Sequence, residues 1–176
     1  MPPAFAQNGR LDVLAANRLG RALYSEMFAD PARPANLARF VFSNPRSHDF
    51  FADWERAAND TVAILRSEAG RDPYDSGLSD LVGELATRSE EFRTRWAAHD
   101  VRIHRAGVKH VRHPVVGDLD LTYEMMELSA DPGLSILTYS AEPGTPSEEA
   151  LSLLGSWAAT LDQEQQARGT DDARQT

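Results

Sequence analysis

Apolar positions along the chain change their spacing twice. Two short apolar-rich runs come first, residues 4–7 and 11–15, on either side of Asn8-Gly9. Runs of that length around Asn-Gly read as a hairpin, and the dipeptide supplies the positive φ angles of a tight type I′ turn. The spacing then becomes helical. Asn17 stands where an N-cap belongs, ahead of Leu19, Leu23, Tyr24, Met27 and Phe28. After the break Asp30-Pro31-Ala32-Arg33-Pro34, residues 36–42 form a short apolar helix that Asn44-Pro45 ends. Over residues 48–69, Phe51, Trp54, Ala58, Val62, Leu65 and Ala69 advance by three or four, which predicts one long amphipathic helix closed by Gly70. Leu78, Leu81, Val82 and Leu85 mark a further helix, and Phe92, Trp96 and Ala97 another.

Beyond Val101 the pattern alternates. Residues 108–113, 119–128 and 134–141 read as three strands, separated by the turn compositions Pro114-Val115-Val116-Gly117-Asp118 and Ala130-Asp131-Pro132-Gly133. In the middle strand Leu119, Leu121, Tyr123 and Met125 share one face, and Asp120, Thr122 and Glu124 take the other. One buried and one wetter face belong to an antiparallel sheet. Pro143-Gly144-Thr145-Pro146 ends it, and a last helix carries Leu151, Leu154, Trp157 and Leu161. The polar residues 162–176 read as a disordered tail, so residues 4–161 form the single domain. Consecutive strands pair as a meander, and the N-terminal hairpin completes the sheet beside the last strand, covering two apolar edges. The expected fold is α+β, a PAS-like five-stranded antiparallel sheet with several helices packed on one face.

Composition narrows the function. The chain has 176 residues, 41% hydrophobic and 26% charged, with a formal net charge of −9. That describes a globular domain whose surface repels phosphate backbones, and so a poor direct DNA binder. No cysteine is present, which removes disulfides and thiolate chemistry and fits a reducing cytoplasm. Neither a signal peptide nor an apolar run of about 20 residues is visible, so no membrane partner is expected.

Chemistry-bearing motifs are scarce. His99, His104, His110 and His113 cluster near Asp100, yet no pair has the i, i+4 spacing of a helical zinc site, and the reading is solvated or hydrogen-bonded histidines. Gly-x-Ser-x-Gly, the phosphate loop and Gly-x-Gly-x-x-Gly are all missing, so no enzyme, metal or cofactor is expected. Arg102, His104, Arg105, Lys109, His110 and Arg112 make a basic run, read as a solvated strand pair in preference to a cationic pocket rim or a domain-facing surface.

Several phrases resemble the C-terminal domain of the MmyB-like family of actinobacterial transcription regulators. They are Asn17-Arg18-Leu19-Gly20-Arg21-Ala22-Leu23-Tyr24, Asp80-Leu81-Val82-Gly83-Glu84-Leu85, and Phe92-Arg93-Thr94-Arg95-Trp96-Ala97-Ala98-His99-Asp100-Val101. Gly107-Val108-Lys109, His113-Pro114-Val115-Val116-Gly117 and 139–147 continue them in order. The resemblance implies a PAS-like sensory domain for a small apolar ligand such as a fatty acid, in regulators of secondary metabolism. It also implies an Xre-type helix-turn-helix domain, which does not precede Ala4 here, so DNA is a partner only through that missing domain. Trp54, Leu85, Phe92, Trp96, Tyr123 and Met125 are the expected pocket lining between sheet and helices, with Arg95 or His99 as anchor for a carboxylate headgroup. The rival reading is a protein-interaction or homodimerisation domain with a filled core.

Overall fold

The structure, a computed structural model, describes residues 1–98 and 102–172. Strands β1 (Ala4–Asn8) and β2 (Val13–Ala16) open the chain. Seven helices follow: α1 (Arg18–Leu23), α2 (Ser25–Ala29), α3 (Leu37–Ser43), α4 (Arg46–Phe50), α5 (Trp54–Arg71), α6 (Ser76–Arg88) and α7 (Glu90–Ala97). Strands β3 (Ala106–His113), β4 (Gly117–Glu127) and β5 (Leu134–Ser140) lead to the last helix, α8 (Pro146–Asp172). The strands form one antiparallel sheet in the order β2-β1-β5-β4-β3. This is the expected PAS-like α+β arrangement, with the N-terminal hairpin beside the last strand.

Side-chain caps start the helices. The Asn17 side-chain oxygen accepts from the Gly20 amide at 2.7 Å, and Asn36, Asp53, Asp75 and Ser89 cap α3, α5, α6 and α7 in the same way. Asn17 also ties α1 to β1, because its side-chain oxygen accepts from the Ala4 amide at 3.2 Å and its amide nitrogen donates to the Pro2 carbonyl at 2.7 Å. Alternation in β4 is as the pattern predicts. Leu119, Leu121 and Tyr123 are buried and Asp120, Thr122 and Glu124 exposed.

Two local readings are corrected. The first turn is not type I′: positive φ falls on Leu11 (65°) and not on Asn8 or Gly9. Leu11 donates to the Asn8 carbonyl at 2.9 Å, and Asn8 donates to the Asp12 carbonyl at 3.1 Å, which makes a longer loop. A Cβ at Gly9 would meet the Glu68 carboxylate, the mobile end of a side chain that can turn aside. The second correction concerns the long helix, which is interrupted at Phe51-Ala52-Asp53. Phe51 forms a bridge with Val111, and the Ala52 amide donates to the His110 carbonyl at 3.1 Å. The backbone leaves the helix to bond the edge strand β3, and Asp53 restarts it.

The core joins both layers. Tyr24, between α1 and α2, touches Phe5, Phe40, Phe50 and Tyr139, and the Tyr24 and Tyr139 hydroxyls share a hydrogen bond of 2.7 Å. His113 at the end of β3 is buried. Its Nε2 donates to the Ala22 carbonyl at 2.9 Å and its Nδ1 accepts from the Val115 amide at 3.1 Å, an arrangement that needs the neutral ring. Helix α8 packs on α1 and β4.

Candidate functional site

Helix α5 turns Ala57, Asp60, Thr61 and Ile64 toward the sheet, residues spaced so as to share one face. Below them lie Gln7, Lys109, Tyr123, Met125 and Leu137. Ala57 and Thr61 are too short to close the distance, and a gap of about 40 Å³ remains. Gln7, Ile64 and Met125 also line a wider chamber of about 270 Å³ that reaches Gly9, Arg71 and Gly133. At the opposite end Phe51, Ala57, Asp60, Lys109 and Tyr123 continue into a recess bordered by Asp53, Arg56 and His110. The result is a slot running beneath the helix. A groove of about 730 Å³ between the first residues and α8 is open to solvent, and Ser156 in its wall donates to its own helix at 3.2 Å.

Two polar side chains in the slot stand out. Lys109 pairs with Leu121 across the sheet and alternates in phase with Val111 and His113, so it points inward. Its ammonium lies 4.9 Å from the Tyr123 ring centre, 5.8 Å from Phe51 and 5.9 Å from Tyr139. Among the described residues it makes no hydrogen bond or ion pair. Burial pulls the amine down to about 8; Asp60 opposes that shift and Arg56 adds to it. Gln7 is 2% exposed. Its amide nitrogen donates weakly to the Met125 sulfur at 3.8 Å, while its oxygen is buried without a partner among the described residues.

The other charges are paired. Asp60 accepts His104 at 3.1 Å and lies 4.0 Å from Arg56. Arg71 is bonded to Glu68, and Arg105 to Glu127 at 2.9 Å. The Thr61 hydroxyl donates to the Ala57 carbonyl at 2.7 Å, so it is held within its own helix and not activated by a base.

A family model described as the MmyB-like transcription regulator ligand binding domain matches residues 1–154. The chain belongs to that family. No curated protein matches it. The MmyB-like domain is a regulatory ligand-binding module of transcription regulators, a family of sensors and not of enzymes. The match covers the whole sheet and ends within α8. Among the described residues no helix is long and apolar enough to cross a membrane.

Within this MmyB-like domain the residues singled out from sequence divide into two places. Tyr123 and Met125 line the slot. Trp54, Leu85, Phe92 and Trp96 do not line it; they belong to the packed layer formed by α3, α5, α6 and α7. There Phe42 meets Trp54 at 5.8 Å and Phe92 at 5.1 Å, and Phe92 stacks on Trp96 at 5.6 Å. Arg95 is bonded to Glu55 and Glu91, donates to Asn59 at 3.0 Å and lies over the Trp54 ring. His99 lies outside the described residues. The histidines of the cluster go separate ways, His104 to Asp60, His110 to Asp120 and His113 to Ala22. Sequence reasoning passed over Gln7 and read Lys109 as part of a solvated basic run, although phase was the available signal: Lys109 is in step with Val111, and Gln7 with Phe5.

Proposed function

We propose that this MmyB-like domain senses a long apolar molecule of the fatty-acid class, bound in the slot between α5 and the sheet. In the regulator that contains it, a separate helix-turn-helix module contacts DNA in the cytoplasm, and ligand occupancy alters that contact. The observation that supports this reading is the Gln7 carbonyl oxygen, buried in the slot without a partner among the described residues, beside the half-buried Lys109 ammonium, which faces aromatic rings. A domain with a filled core has no use for such groups, because an unpaired buried polar group costs free energy that a ligand would recover. An acyl chain adds about 0.8 kcal/mol per buried methylene, so most of the affinity comes from the tail.

The test is native purification followed by gentle denaturation and mass spectrometry of the released small molecules. A lipid recovered in near-equal amount to the protein is the expected result. Protein that releases none, and that takes up no fatty acid when titrated, belongs to the interaction-domain reading instead.

A further inference from the structure

We infer that the ligand is a carboxylic acid carrying a hydroxyl along its chain, the carboxylate held by Lys109 and the hydroxyl by Gln7. This rests on the sensory reading above and adds which polar groups the ligand must present, and in which direction it lies.

The headgroup follows from charge. Arg71 and Arg105 at the wide chamber are neutralised by Glu68 and Glu127. On the opposite side Asp60 is taken by His104 and Arg56. Lys109 is left facing Phe51, Tyr123 and Tyr139, with ring faces as its company. A single ammonium in a gap of about 40 Å³ suits a compact monoanion, and a carboxylate supplies the opposite charge whose absence makes the buried cation unfavourable.

The tail then takes the roomier way out. Past Ile64 and Met125 the slot widens to about 270 Å³, whereas the other exit leads between Arg56 and Asp53. Gln7 lines both the gap and the chamber, so a chain leaving Lys109 in this direction passes its amide. One amide atom is occupied by the Met125 sulfur and the other is buried and unpaired. A hydroxyl both donates and accepts, so it satisfies that atom whichever way the amide is turned. A plain methylene there leaves it unpaired.

The experiment is calorimetric titration of the whole chain with dodecanoic acid, 1-dodecanol and a panel of monohydroxylated dodecanoic acids. The acid is expected to bind about tenfold more tightly than the alcohol, and one hydroxylated acid about tenfold more tightly than the plain acid. Lys109→Met is expected to erase the first difference, since it keeps the stem against the rings and removes the charge. Gln7→Leu is expected to erase the second. Should Lys109→Met fail to fold, the native protein provides the same test: acid affinity falls as pH rises above about 8 and alcohol affinity does not. Over that range Asp60, Arg56, His104, Tyr123 and Tyr139 face the same gap, and the alcohol arm reads any effect they have in common. Equal binding of acid and alcohol overturns the Lys109 assignment and leaves the sensor standing. Equal binding of plain and hydroxylated acids overturns the Gln7 assignment alone. If none of these compounds binds, the sensory reading falls, and this inference with it.

Discussion

At its first turn helix α5 is packed solid, and one turn later it stands off the sheet. Around Trp54 the contacts are close: Phe42 and His48 lie against the ring, and the indole nitrogen donates to the Val41 carbonyl at 3.1 Å and the Ser47 hydroxyl at 3.2 Å. Around Ala57 and Thr61 the side chains are short and the facing strands hold a lysine and a glutamine. Close packing is the rule for protein interiors, so the second stretch departs from it at a place where its polar atoms are also unpaired. Two departures coincide at one spot, the spot where the proposed ligand would sit.

The largest effect expected is on the packed stretch. Phe92→Ala removes a fully buried ring from between Phe42 and Trp96, and should lower unfolding stability by about 3–5 kcal/mol in urea titration. A loss below about 1 kcal/mol would mean that this block is not the rigid half of the comparison. Ala57→Leu fills the loose stretch. It should cost no more than about 1–3 kcal/mol and cut fatty-acid affinity at least tenfold, as measured by calorimetry. Undiminished binding would move the ligand elsewhere.

Lys109→Met sharpens the comparison further, because removing a half-buried charge that has no ion pair among the described residues should stabilise the empty domain, by about 1 kcal/mol at pH 7. The native protein carries the signature of that charge. The folded amine titrates at about 8 and the free one at 10.5, so between these values the unfolded chain binds more protons. Stability should therefore rise with pH above about 8 in the native protein and not in the variant. The window closes near pH 10, where buried Tyr24 and Tyr139, whose hydroxyls are pushed up, begin to favour the unfolded state. The smallest effect belongs to His113. Burial holds its imidazole below the ordinary 6.5, against the pull of the Ala22 carbonyl and Glu26. Its contribution is complete above 6.5 and is lost as pH falls through the lowered value; His113→Phe should flatten that acid limb of a thermal melt.

Sheet order, helix caps and the buried face of β4 were legible because they follow from local chemistry and period. Asn17 is an N-cap by composition, and Leu119 to Met125 alternate plainly. The break at residues 51–53 was not legible, since its cause is a bond to β3, about 60 residues away, while the apolar stripe runs on unbroken. The slot was half legible. Tyr123 and Met125 announce themselves as inward-facing, but in β3 positive charge occupies both phases of the alternation, at Lys109 and at His110 and Arg112, so the inward lysine is masked by its outward neighbours. The aromatic helices drew attention to the largest side chains, whereas open space arises where side chains are small.

Strand β1 carries one more consequence. It is bonded on both sides, to β2 with a register shift between Ala6 and Gln7, and to β5 without one. Gln7 at one end reaches the slot, and Ala4, about 10 Å away by strand rise, is held at the other. Ala4 gives its amide to the Asn17 side chain at 3.2 Å and receives the Asn17 amide at 3.0 Å on its carbonyl. Gly20 sits so near that a Cβ would come within 2.5 Å of that carbonyl, which leaves no slack in the joint. A shift of Gln7 along the strand would thus meet the cap of α1 within three residues, in the manner of a pull-wire anchored at both ends.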